Sequence, residues 1–324
     1  MCDYERIGKK AKLFVLALAG MALAGFVWRQ FTPAELIYRN KRLSVWLDEI
    51  DVRAGGGDTN NPAYRAFIEI GPSATAPLLE IIRAPYPWFQ RVVYKVNRMQ
   101  SVVKFREADP WRRKTAASWA LHAMGTNARP ALPGLTNLLF RTNALITSAT
   151  ALAGMGPDGV QVLLLALTNQ CSAIRYSAAS RLKCARSDFP RIIPALIDRF
   201  QDSDIQVHQA AVGSIGQLHA EGKLAVPALI KDFSATNTLL RTFILVSLSN
   251  FGPDAQESVP MIREALKDQN GQVKEAAAWA LKKIDPAAIA RAEESSGPAP
   301  STLEERLRRD VMRELLRERA PAGK

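Results

Sequence analysis

At 324 residues with 48% hydrophobic content, the chain has enough apolar material for a long continuous core, which excludes a polypeptide too polar to fold. Its formal net charge of +12 is unevenly spread. Nine basic residues against Glu107 and Asp109 give +7 between Arg83 and Lys114, and most of the remainder comes from the N-terminal region.

Residues 1–12 form a basic n-region with Arg6, Lys9, Lys10 and Lys12, and residues 13–28 run uncharged from Leu13 to Trp28. A basic stretch followed by an apolar one engages export machinery. The run has 16 residues, between a signal-peptide core and the roughly 20 that span a bilayer. Gly25, Phe26 and Val27 keep it apolar and Trp28 suits a membrane interface, so we read a single-pass signal-anchor helix with the remainder extracytoplasmic. The alternative is cleavage near Ala24, after Ala22-Leu23-Ala24, releasing a periplasmic or secreted product. Either way the expected location is the cell envelope.

Residues 29–61 read as a linker and N-terminal capping element. Ser44 is expected to cap a helix that turns Trp46, Leu47 and Ile50 inward, covering the open end of a repeat array that begins at residue 62. Gly55-Gly56-Gly57 is a connector without the lysine of a phosphate-binding loop.

From residue 62 a unit of about 33 residues recurs. Its anchors are Gly71, Gly125, Gly156, Arg186, His219, Gly252 and Asp285, spaced 54, 31, 30, 33, 33 and 33. Four residues before each stands Phe67, Leu121, Leu152, Leu182, Ile215, Leu248 or Leu281. Eight before stands Ala63, Ala117, Ser148, Ala178, Ala211, Ile244 or Ala277. These offsets share one face of a helix, and the small residues allow a neighbouring helix close. Pro133, Pro194, Pro227 and Pro260 stand eight residues past their anchors and are expected to start the second helix of each pair, since proline costs little in a first turn. Asp204, Asn237 and Asn270, 33 apart, mark the turn into the next pair. The third repeat departs from the pattern: Leu164 replaces the proline, and Thr147 and Ser148 replace the small apolar pair.

Segments 114–139, 206–219, 226–233 and 272–285 resemble the HEAT-repeat family, especially the short bacterial HEAT-like repeats also found in phycobilisome lyases. The resemblance covers roughly residues 62–290. It implies an all-α fold, a right-handed α-solenoid of about seven helix pairs preceded by the N-terminal hydrophobic helix. It also implies a protein-binding surface more often than an enzyme, with the second helix of each pair lining the concave face. On that side stand Asp198, Arg199, Lys231, Asp232, Arg263 and Glu264, the candidate solenoid face for a protein partner.

The array is interrupted by a basic insertion at about 84–110. Val92, Val96, Met99 and Val103 form an amphipathic stripe, interleaved with aromatic residues. Arg91, Lys95, Arg98, Lys104, Arg106, Arg112, Arg113 and Lys114 form a candidate basic patch. Three readings stay open for it: a solvated face, an acidic partner or anionic lipid surface near the anchor, and nucleic acid. The export signal counts against the last.

Residues 291–300 read as a linker, and 301–320 as a charged amphipathic helix whose Leu303, Leu307, Val311 and Leu315 recur every four residues. Docking of that helix on the last repeat is preferred over a partner or self-association. No cofactor, metal or small-molecule substrate is indicated, and the expectation is a non-enzymatic envelope scaffold; a HEAT-like lyase-type enzyme is the alternative. His122, His208 and His219 are expected to be structural. Cys171 and Cys184 are expected to be buried free thiols, about 20 Å apart along a helix and out of disulfide reach.

Overall fold

The computed structural model describes residues 35–52, 61–85, 109–141, 144–218, 221–233 and 237–287. The expected anchor at 13–28, residues 86–108 of the insertion, His219 and the C-terminal segment at 301–320 lie outside them. No helix among the described residues is long and apolar enough to cross a membrane. The described residues are all-α apart from one two-residue hairpin, and they cluster into two compact units.

The first unit comprises the described residues up to Thr168 together with Cys184–Ser187. It opens with β1 (Ile37–Tyr38) and β2 (Lys41–Arg42), paired antiparallel with Ile37 opposite Arg42. Arg39 and Asn40 between them both take positive φ, 49° and 60°, the backbone a two-residue hairpin requires. The following helix, α1 (Leu43–Asp48), buries Leu43, Trp46 and Leu47, and Ile50 just beyond it, as expected. Ser44 is not its cap. Arg42 holds the cap position without a side-chain bond, and the Ser44 N–H instead donates to the Glu35 carboxylate. The helix starts two residues early because β2 runs straight into it.

Next come α2 (Pro62–Ile70), α3 (Thr75–Arg83), α4 (Pro110–Met124), α5 (Leu132–Arg141), α6 (Leu145–Gly154) and α7 (Pro157–Ala166). The Asn61 and Asp109 side chains cap α2 and α4 by accepting the Ala63 and Arg112 N–H groups. Helix α4 packs on α2, α3 and α6; α5 packs on α3 and α6; α7 packs on α6. At the α4–α6 crossing a Cβ on Gly154 would lie 2.3 Å from the His122 carbonyl oxygen, so backbone meets backbone there and no larger residue fits.

The second unit holds α8 (Ser172–Leu182), α9 (Phe189–Ile197), α10 (Ile205–Leu218), α11 (Gly222–Phe233), α12 (Thr238–Phe251), α13 (Val259–Ala265) and α14 (Gly271–Ile284). Helices α8, α10, α12 and α14 pack in succession, with α9 against α10 and α11, α11 against α12, and α13 against α14. The first helices of successive pairs are also stitched by hydroxyls in phase. Ser214 Oγ donates to the Ala179 carbonyl at 2.6 Å, and Ser247 Oγ, 33 residues on, donates to the Val212 carbonyl at 3.1 Å. Asn237 and Asn270 cap α12 and α14, and the Asp204 carboxylate accepts the Gln206 N–H at the start of α10.

Across both units the repeat register holds. Every residue eight before an anchor is fully buried, and so is every residue four before it, Leu281 retaining 9% exposure. The joints between paired helices vary more than the period does. After Gly71, Gly125 and Gly252 the chain winds a 3-10 turn (Gly71–Ala74, Gly125–Ala131, Gly252–Ser258) before the second helix. These glycines have φ between 57° and 65° and ψ between −131° and −148°, a region that essentially only glycine enters. In the third repeat α7 starts directly after Gly156, with Pro157 at its first position and no 3-10 turn. Gly159 permits this, since a Cβ there would lie 2.0 Å from the Leu152 carbonyl oxygen. Leu164, eight residues past the anchor, accordingly lies inside α7 and not at its start. Where the anchor is Arg186 or His219, the positive φ moves two residues on, to Asp188 (68°) and Glu221 (53°).

This last shift corrects the reading of two prolines. Pro133 and Pro260 stand in the first turns of α5 and α13, as expected. Pro194 and Pro227 lie inside α9 and α11, because both helices begin three residues after the anchor instead of seven. Both prolines are exposed, so the carbonyl each leaves without an N–H partner is on the solvent side.

Candidate functional site

The candidate solenoid face falls on the second helices of the second unit. Asp198, Lys231 and Glu264 each stand twelve residues past an anchor, 33 apart, and all three are exposed. Asp198 opens the 3-10 turn ending α9, Lys231 is in the last turn of α11, and Glu264 is in α13 beside exposed Arg263. The row therefore reads acidic, basic, acidic along successive repeats. Glu264 also bonds Lys267 at 3.0 Å on the surface, a local pair of small energy.

Arg199 and Asp232 do not belong to that face. Asp232 is 5% exposed, and its Oδ2 is 2.7 Å from His208 Nε2, with the His208 ring stacked on Phe200. One residue of helix rotates a side chain by about 100°, so Lys231 and its neighbour face opposite media. Arg199 is half-buried, its guanidinium 3.8 Å from Asp202.

Asp202 is the centre of a cluster that the apolar period does not reveal. Arg175 Nε and Nη2 donate to its two carboxylate oxygens at 2.8 and 2.7 Å, and Arg175 Nη1 donates to the Asn169 and Gln170 carbonyls. Burial is the strongest single influence and works to raise the Asp202 carboxyl, but the Arg175 hydrogen bonds, the Asp204 N–H and the charges of Arg175 and Arg199 together outweigh it and hold it below its ordinary range. The same bonds raise Arg175. Sixty-six residues on, Arg241 pairs with Asp268 at 3.0 Å. His208 stands at the same register, eleven residues before its anchor, but its repeat has Ala235 where the others have Asp202 and Asp268, so it turns to Asp232 instead. The signal is a phased cation with a phased acid. It becomes legible only when polar positions are aligned along with apolar ones.

In the first unit, Arg91, Lys95, Arg98, Lys104 and Arg106 lie outside the described residues. Arg112 donates to the Asp48 carboxylate at 3.3 Å and to the Asp48 carbonyl at 2.6 Å, tying α4 to the C-terminus of α1; Arg113 approaches the same carboxylate at 3.9 Å. Both are thus engaged within the fold. Burial lowers the Lys114 ammonium from its ordinary value.

His122 is 4% exposed in α4, edge-on to Trp119, with Nε2 3.0 Å from the Cys184 carbonyl and Nδ1 without a hydrogen-bond partner. Burial pushes its pKa down to about 4, the Cys184 carbonyl opposing and the Arg186 charge adding to the shift. Cys171 is exposed at the N-cap of α8, a correction to the expected buried thiol, while Cys184 is half-buried. Both are free. The cap register places residue 171 at the surface, where Asp204, Asn237 and Asn270 stand in later repeats.

No protein-family model matches the chain, and no curated protein matches it. Among solved structures, one engineered protein is similar at 21% identity over 60% of this chain and 97% of its own, with a TM-score of 0.39. A second engineered protein is similar at 18% identity over 78% of this chain and 77% of its own, with a TM-score of 0.38. A Kap121p mutant is similar at 16% identity over 78% of this chain, with a TM-score of 0.44. This chain matches 30% of the length of Kap121p.

Proposed function

We propose that the protein is a non-enzymatic interaction scaffold of the cell envelope, a right-handed HEAT-like solenoid of about seven helix pairs that binds another protein along the second-helix side of its last repeats. The row of exposed Asp198, Lys231 and Glu264, alternating in sign at one register position, carries this reading. Packed helices lie 8–10 Å apart, so such a row matches an extended acidic-basic pattern on a partner without needing a pocket. A core locked at two positions in every repeat keeps the row preformed, which lowers the entropic cost of binding. The envelope assignment rests on the basic and then apolar order of residues 1–28.

A photo-crosslinking residue at exposed position 227, one turn before Lys231 on α11, in the cells that make the protein, tests the binding reading with the charged row intact. A discrete protein adduct is expected, lost when Asp198→Lys and Glu264→Lys are combined. No adduct, or adducts indifferent to the reversal, would refute it. N-terminal sequencing tests the anchor: a mature chain starting at Gly25 excludes permanent attachment.

A further inference from the structure

The outward face of α12 exposes more large apolar side chains than the faces of its neighbours. Leu239, Phe243 and Val246 stand at i, i+4 and i+7 and are 52%, 40% and 43% exposed. They line one stripe of the helix. At the same register α10 carries Gln206, Ala210 and Gly213, and nothing lies within 4 Å of where a Gly213 side chain would begin. On α14 the corresponding residues are Gln272, Ala276 and Trp279. The stripe is therefore a ridge with a low flank on the α10 side, a shape that accepts a helix laid alongside it.

We propose that the occupant is segment 301–320 of this same chain, lying as an amphipathic helix along the α12 ridge and so covering it in the folded protein. Three observations converge on it. The segment is apolar only at Leu303, Leu307, Val311 and Leu315 within its first four turns apart from Met312, a stripe too narrow for a core of its own and matched to the four- and three-residue spacing of the ridge. The described chain ends at Ala287, just past α14, which packs directly on α12. Fifteen residues separate Ala287 from Leu303, enough for about 50 Å when extended, whereas adjacent helices are only about 10 Å apart. A tether of that length gives the segment an effective concentration no free partner reaches.

Disulfide trapping in the full chain tests this. In a chain whose Cys2, Cys171 and Cys184 are replaced by serine, Phe243→Cys is combined in turn with Leu307→Cys, Val311→Cys and Leu315→Cys, with Phe243→Cys alone in that background as control. The proposal expects an intrachain 243–307, 243–311 or 243–315 crosslink under mild oxidation and no interchain dimer from the control. Dimers joined through residue 243 would make a second copy the occupant and overturn it, as would failure of all three pairs to crosslink. A thermal double-mutant cycle gives an independent readout. Phe243→Asp and Val311→Asp should each lower the melting midpoint, and together cost no more than the larger alone; full additivity would overturn the proposal.

Discussion

Ser148 holds a hydroxyl with no exposure and no hydrogen-bond partner, at a register position that elsewhere carries alanine or isoleucine. A buried unsatisfied hydroxyl costs about 1–3 kcal/mol, and alanine fits the same space without it. Ser148→Ala is expected to stabilise the protein by about 1 kcal/mol in urea unfolding; a loss would mean that the hydroxyl has a partner. His122 makes stability depend on pH. Its folded pKa of about 4 lies below the ordinary 6.5, so the unfolded chain takes up the proton first. Stability is complete above 6.5 and falls as pH drops from 6.5 towards 4, by about 3 kcal/mol in all. The cause is burial first: the neutral ring already donates its Nε2–H to the Cys184 carbonyl, and a second proton would place charge in an apolar site beside Arg186, the carbonyl only partly opposing this. His122→Gln retains a donor for that carbonyl but does not titrate. Its melting temperature should fall less between pH 7 and pH 4.5 than that of the unsubstituted protein.

At the scale of the element, the joints are set by backbone conformation and the helices by burial. Gly252 has φ 57° and ψ −136°, and an added Cβ would meet nothing closer than 4.0 Å. Gly252→Ala is therefore free of steric clash and tests conformation alone. A cost of about 1–3 kcal/mol in thermal or urea unfolding is expected from forcing an L-residue into that region. Glu221, at φ 53°, is the converse case: Glu221→Gly relieves the left-handed strain and should be neutral or stabilising despite the usual entropic penalty of glycine. This contrast also explains what was legible in the sequence. The buried pairs such as Ala211 and Ile215 were readable, because solvent exclusion dictates hydropathy and hydropathy repeats. The winding of each joint was not, because Pro133 and Pro194 look identical at their register while one starts a helix and the other lies inside one. Among the repeats that carry this proline, the helix holds it in its first turn where the anchor is Gly125 or Gly252 and encloses it where the anchor is Arg186 or His219. For the candidate face, the sequence located the helices but not their rotation, so Asp232 was grouped with residues it does not accompany.

For the whole molecule, under the proposed scaffold reading, the consequence of that rotation is that stability and binding separate at adjacent positions. Lys231 is exposed in the charged row, while Asp232 is buried against His208. Removing the Asp232 carboxylate leaves His208 beneath the surface without its partner, a cost of about 1–3 kcal/mol. Reversing Lys231 alters an exposed charge, worth within about 0.5 kcal/mol. Repeat arrays distribute stability over neighbouring interfaces, so neither change should unfold the first unit. Asp232→Ala is thus expected to lower the unfolding midpoint and, below that temperature, to leave capture of the partner intact. Lys231→Glu should do the reverse, turning acidic-basic-acidic into a uniformly acidic row and abolishing capture at unchanged midpoint. If both variants lose capture in proportion to their loss of stability, the charged row is only a solvated surface and the scaffold reading fails.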